Sequence, residues 1–383
     1  MNYQTVNKVQ FGANKQAIVK FILKDESGNA INAKSFTIDA MSANLNRSIL
    51  RQKYDRVNYT DDNEGPLTFT LSGTTDVIYA ALMISGSANI TITAETASYA
   101  YAYGNTSVSF DYGKYYEVTV KMYKRDVDLA SLNANYEAKS GQVLSGTLPA
   151  GLYLDVVDGA TVTLKNANIN ASSVSPFTHG ALCCNGNVTL LLEGTNVVKG
   201  NPAVFSAEGK TLIIDGNGSL TATSEDTEEV ESCSAAIGSP YYGTCGNIII
   251  KGGYIKATSE SGSAGIGCGY FGNCGDITIT GGTVEAYGHN SAGIGCSAKG
   301  DSNHCGKITI ANTVTKVVST TSMNGGGVIG QTMGSCPSVK IGDCEVWYES
   351  IWHPMPMVDG DYGGLHLTID DDGKRWTLTP VVP

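Results

Sequence analysis

The chain has 383 residues, among them 46 glycines and 10 cysteines, with only 16% charged residues and a net charge of −11. That acidic balance argues against general nucleic-acid binding, which rests on cationic side chains neutralising phosphate. The longest apolar run, Val77–Ile84, falls far short of the roughly 20 residues that a membrane-spanning helix needs, while 42% hydrophobic residues suffice for a packed core and exclude disorder.

No apolar stripe of helical period is sustained anywhere. Short alternating segments rich in Val, Ile, Thr and Tyr dominate instead: Ala17–Leu23, Leu67–Leu71, Asn89–Thr93, Val108–Phe110 and Tyr115–Met122. Turn residues separate them at Glu26–Asn29, Ser72–Gly73 and Tyr112–Gly113. Alternation at period 2 with such punctuation predicts half-buried antiparallel strands. About seven of them by residue 125 is the arithmetic of a β-sandwich.

The pattern changes near Asp126–Leu132, and every cysteine lies beyond that point. Cys245-Gly-Asn-Ile-Ile-Ile-Lys-Gly-Gly aligns with Cys274-Gly-Asp-Ile-Thr-Ile-Thr-Gly-Gly, and Cys305 and Cys336 open two further copies. The spacings are 29, 31 and 31 residues. A second phrase precedes each cysteine: Ala235-Ala-Ile-Gly, Ala264-Gly-Ile-Gly, Ala292-Gly-Ile-Gly and Gly327-Val-Ile-Gly. Weaker copies stand at Ala160–Leu164, Asn187–Leu190 and Lys210–Ile214. A fixed period of this length means stacked units that bury their apolar faces only against each other. Three short strands per period with glycine corners predict a parallel β-helix, right-handed. Ile248 and Ile250, Ile277 and Ile279, Ile308 and Ile310, and Val339 and Ile341 should point inward, with Ile249, Thr278, Thr309 and Lys340 outward. The organisation expected is an antiparallel sandwich over 1–126, the β-helix over 127–350 and a cap over 351–383, the last containing a hairpin from Leu365 to Leu378 that turns at Asp372-Gly373.

The repeated phrases, with Asn312-Thr-Val-Thr-Lys316 and the lead-in Val127–Ala138 and Gly141–Thr147, resemble repeats of surface proteins from gut-dwelling Gram-negative bacteria, some of which carry carbohydrate-binding domain names. Ile18–Asp25 and Gly113–Met122 resemble a subdomain of the fimbrillin-like superfamily of fimbrial subunits and tip adhesins. Such proteins usually begin with a lipoprotein signal and an earlier sandwich. Met1-Asn-Tyr-Gln opens with neither a basic nor an apolar leader segment, so leader and lipid anchor are expected to have been trimmed. The resemblance implies an extracellular, outer-membrane-surface or fimbria-associated protein. Its implied partners are a host or microbial glycan, a surface protein or other fimbrial subunits.

Cys245, Cys274, Cys305 and Cys336 share one repeat position, and Cys268 and Cys296 another, where Ser239 stands one coil earlier. Stacking at about 4.8 Å should build buried ladders from them, either as thiols or with one or more disulfides. No metal is expected, because the close Cys-Cys or Cys-His spacing of zinc sites is missing, and no cofactor is implied.

β-Helices also host polysaccharide lyases and hydrolases, which need convergent carboxylates. The outward rows Asn247/Asp276/Lys307/Ser338 and Lys256/Glu285/Thr315 contain no carboxylate pair, and Asp276 and Lys307 should pair across coils. His179, His289, His304, His353 and His366 have no Ser or Asp partner at motif spacing. The acidic stretch Glu225–Glu231 reads as a solvated insertion rather than a calcium loop. The better lead is aromatic. Tyr241 and Tyr242 follow Ile237 by four and five residues, as Tyr270 and Phe271 follow Ile266, whereas Ala298-Lys299 breaks the row. Trp347, Tyr348 and Trp352 should cap the last coil. The function expected is a non-enzymatic adhesin binding its ligand through those four rings, with a β-helix lyase or hydrolase and a structural fimbrial spacer as the competing readings.

Overall fold

The computed structural model describes residues 17–40, 45–46, 67–84, 88–111, 113–172, 180–225, 233–297, 303–323, 327–330, 335–348 and 357–381. No α-helix occurs among them, and none is long and apolar enough to cross a membrane. The chain divides into two compact units, Met1–Asp126 with Lys139–Gln142, and Val127–Ala138 with Val143–Pro383.

Among the described residues the first unit holds nine strands: β1 (Ala17–Lys24), β2 (Ala33–Ala40), β3 (Leu45–Asn46), β4 (Leu67–Thr75), β5 (Val77–Ile84), β6 (Ala88–Glu95), β7 (Ala100–Val108), β8 (Tyr115–Lys121) and β9 (Tyr123–Lys124). They form a sheet ordered β3-β5-β1-β8 and another ordered β4-β2-β6-β7-β9. β1 shows the cause: Ala17, Val19, Phe21 and Leu23 are buried while the residues between them are half-buried, as a period of two requires. Phe21 meets Phe36 of β2 with ring centroids 5.3 Å apart. Two expectations are corrected. The sandwich is not wholly antiparallel, since β1 and β8 pair in parallel from Ile18↔Tyr115 to Lys24↔Lys121. The strand expected at Val108–Phe110 lies earlier, as β7.

The second unit is a parallel β-helix with three faces. In chain order, each complete coil contributes a short strand such as Ile266–Gly267 to the first face, one such as Ile277–Ile279 to the second, and one such as Thr283–Gly288 to the third. The first face stacks eight strands, from Tyr136–Ala138 to Ile329–Gly330. On the second, Ile248, Ile277, Ile308 and Val339 lie in register and are buried, and Thr278 pairs with Ile249 and Thr309. The inward and outward columns therefore fall as the sequence predicts.

From Ile237–Gly238 onward the first-face strands end in a glycine with positive φ, among them Gly238 (145°), Gly267 (132°) and Gly295 (133°). A Cβ on any of them would collide with the carbonyl of the glycine in the next coil. The Ile-Gly phrase thus repeats because backbone stacks directly on backbone there.

At the far end, Leu365–Asp370 pairs antiparallel with Arg375–Pro380, turning through Asp372 (φ 52°) and Gly373 (φ 89°). Val317↔Leu378 docks this hairpin on the last third-face strand, Lys316–Thr321, where another coil would otherwise stack. Of the expected aromatic cap, Trp352 and the side chains of Trp347 and Tyr348 lie outside the described residues.

Candidate functional site

The corner between the first and second faces carries aromatic rings outside and thiols inside. Outside, Pro240–Gly243 and Gly269–Gly272 are equivalent four-residue turns, closed by Gly243 N–H to Pro240 O (3.1 Å) and Gly272 N–H to Gly269 O (2.9 Å). Their third residues, Tyr242 and Phe271, both have φ 54°. A third position at positive φ ordinarily takes Gly or Asn, and a bulky side chain there is held against about 1–2 kcal/mol of local strain. The sequence repeats this exception in two adjacent coils.

The turns aim four rings at one place. Tyr241 stacks on Tyr270 (5.8 Å, 28°) and Tyr242 on Phe271 (4.8 Å, 20°). Within each coil the two rings meet edge to face at 4.6 Å. Backbone ties hold the coils in step, with Tyr242 N–H on Tyr270 O at 3.0 Å. Tyr242 is 66% exposed, and the other three rings are half-buried. The result is a cluster of stacked rings whose most exposed member, Tyr242, can meet the face of a sugar ring or an aromatic or proline side chain. Ala298 and Lys299, expected to end it, lie outside the described residues.

Inside the same corner, Cys245, Cys274, Cys305 and Cys336 run down one column, with Cys268 and Cys296 beside it, and all six are buried. None of the ten cysteines is joined in a disulfide. The sulfurs of Cys268, Cys296 and Cys305 all lie within 4.8 Å of one another, the one such group of three His, Cys, Asp or Glu side chains among the described residues. Contacts with Cys268 and then Cys305 pull Cys296 down to about 4, because their S–H groups would donate to its thiolate. The Cys274 thiol is pushed well up by Cys245 and Cys268. Local spacing could not reveal this group: the separations are 28 and 9 residues, and only coil stacking closes them.

The outward rows behave differently from expectation. Asp276 does not meet the Lys307 ammonium; its Oδ1 accepts the Lys307 backbone N–H at 2.8 Å, just as Asn247 Oδ1 accepts that of Asp276 at 2.9 Å. Short polar side chains here clip one coil to the next. The other row also shifts: Lys256 pairs with Glu285, and Glu285 with Val318 rather than Thr315, because Ala311–Thr315 replaces the compact Gly-Gly corner and adds residues. Two histidines do have partners, which the sequence spacing hid: His304 Nδ1 lies 2.7 Å from Ser335 Oγ in the next coil, and His366 Nδ1 2.7 Å from Asp361 Oδ1. All four side chains are at the surface. His179 and His353 lie outside the described residues. Glu225 pairs with Lys199 at 3.0 Å; the rest of the acidic stretch to Glu231 lies outside them.

A family model described as "Beta helix repeat" matches residues 248–270 and 277–298, which include Tyr270, Cys268 and Cys296 of this corner. No curated protein and no solved structure gives a match.

Proposed function

We propose that this protein is a non-enzymatic, surface-displayed binding protein whose β-helix presents Tyr241, Tyr242, Tyr270 and Phe271 to a glycan or a surface protein. The observation that carries the reading is the strained turn that places a bulky ring at the glycine position twice in succession. Strain that packing does not need is a mark of function, and rigid exposed rings offer binding area at low entropic cost. The sandwich, through its resemblance to fimbrillin-like subdomains, supports display on an outer surface or fimbria, with other subunits as further partners. In the outward rows Asp276 is engaged in clipping one coil to the next and has no second carboxylate beside it in its row, which favours binding over hydrolysis.

A glycan array and a panel of surface proteins probed with the whole chain would find the ligand. Tyr242→Ala with Phe271→Ala should then weaken binding at least tenfold, leaving the circular dichroism and melting temperature nearly unchanged. A double mutant that melts several degrees earlier yet still binds would assign the rings to packing and move the site elsewhere.

A further inference from the structure

The trio Cys268, Cys296 and Cys305 is more than the corner needs for packing. Alanine, valine and isoleucine fill the core elsewhere in the β-helix, and any of them would fill volume here. Instead two different repeat positions become cysteine in consecutive coils, and the two columns face each other. Position 239, one coil earlier, is a serine whose Oγ accepts the Gly269 N–H at 2.8 Å; where that contact is given up, thiols appear.

From this convergence we propose that Cys268, Cys296 and Cys305 form a structural site for a thiophilic divalent cation of the zinc class. Thiolates select soft or borderline cations such as zinc over calcium or magnesium. Zinc–sulfur bonds of about 2.3 Å in a tetrahedron set sulfurs about 3.8 Å apart. From separations within 4.8 Å, small χ1 rotations close the remaining distance. Charge favours a divalent ion over a monovalent one: three thiolates around it leave one residual negative charge, and burying more would cost more. Binding releases to solvent whatever protons remain on the three ligating sulfurs, so that all three coordinate as thiolates.

The sulfurs of Cys268, Cys296 and Cys305 have no exposed surface on their residues, so the cation must enter before the coils stack. Loading therefore belongs to folding, and the ion would staple successive coils together from within.

The test uses the whole chain, refolded from denaturant under reducing conditions with zinc, then stripped with a chelator in the native state. The expected result is one zinc per chain by elemental analysis, resistant to the chelator until the protein is unfolded. Refolding with cadmium should give a thiolate-to-metal absorption band. Cys305→Ser should reduce retained zinc at least tenfold, and the exposed Cys344→Ser should keep it. If Cys305→Ser fails to fold, Cys296→Ala is the second variant, and the wild-type count and cadmium band decide without either. A wild-type chain that refolds to the same circular dichroism and retains no zinc overturns the proposal. So does zinc that persists in both trio variants, or a disulfide between Cys268 and Cys296 in protein refolded without reductant in the presence of zinc.

Discussion

The two units bury apolar side chains by opposite rules. In the sandwich, Phe21 answers to Phe36 and to the strands on either side of β1, in contacts that belong to that one place. In the β-helix, Ile277 sits between Ile248 and Ile308 in an identical slot, so each position is a column. A column spreads any defect to two neighbouring coils. It also makes a local exception conspicuous, because an exception repeated in register, such as the aromatic turn or the thiol corner, has been kept against the pattern.

The largest effect should come from putting one methyl group into each unit. Gly267→Ala drives a Cβ into the Gly295 carbonyl at φ 132°, a backbone-on-backbone collision with no side chain able to move aside. Such a change should cost about 3–5 kcal/mol and lower the protection of amides from Asn247 to Ile310 against hydrogen exchange. Gly73→Ala in the sandwich meets nothing within 4 Å and should stay within about 0.5 kcal/mol of the parent. Denaturant titrations of both variants make the comparison. Near-equal costs would mean that the coils can slide apart and that the column rule is wrong.

A smaller, pH-dependent difference separates the units through cysteine, which the sandwich lacks altogether. Burial pushes the Cys183 thiol up from 9.0 to about 12 and Cys184 higher still. Below pH 9 both thiols are protonated in folded and unfolded chains, and this contribution to stability is complete. Above pH 9 the unfolded chain sheds protons that the folded one keeps, so stability should fall by about 1.4 kcal/mol per thiol for each pH unit. Urea midpoints at pH 8 and 10 should show the loss, and Cys183→Ala with Cys184→Ala should reduce it, the raised thiols Cys268, Cys274 and Cys305 keeping the remainder. Burial also raises Tyr101 of the sandwich from 10.0, a contribution that is complete below pH 10 and is lost only above it. An equal slope in the double mutant would show that other groups dominate.

The sequence made the β-helix readable because its period, its parity and its glycines are all local signals repeated several times. The inward column Ile248/Ile277/Ile308/Val339 needed nothing more. The sandwich was less legible because each strand appears once: Ala33–Ala40, half polar, gives little contrast, and the parallel pairing of β1 with β8 joins segments about a hundred residues apart with no local trace. The aromatic corner was visible as a position, but its positive φ was not, since nothing in Tyr242 or Phe271 announces a left-handed backbone. The repeat cysteines were legible as buried columns, but the meeting of Cys268, Cys296 and Cys305 was not. Metal spacing was sought along the chain, whereas a solenoid converts one coil of sequence into about 4.8 Å of space.

The smallest effect is also the one that most directly separates packing from use. At Tyr242, φ 54° costs a tyrosine about 1–2 kcal/mol, and Asn is among the residues that adopt this conformation readily. Against that stands the contact with Phe271, where aromatic pairs contribute about 0.5–1.5 kcal/mol beyond burial. Because Tyr242 is 66% exposed, its contact should fall at the low end of that range. Tyr242→Asn should therefore leave stability unchanged or raise it by up to about 1 kcal/mol, while halving the stacked outer pair and weakening ligand binding. Urea unfolding of the variant at pH 7 gives the sign. A loss of more than about 1 kcal/mol would mean that the ring holds the two coils together. The strained turn would then be explained by packing alone, and the argument for a displayed aromatic site would lose its main support.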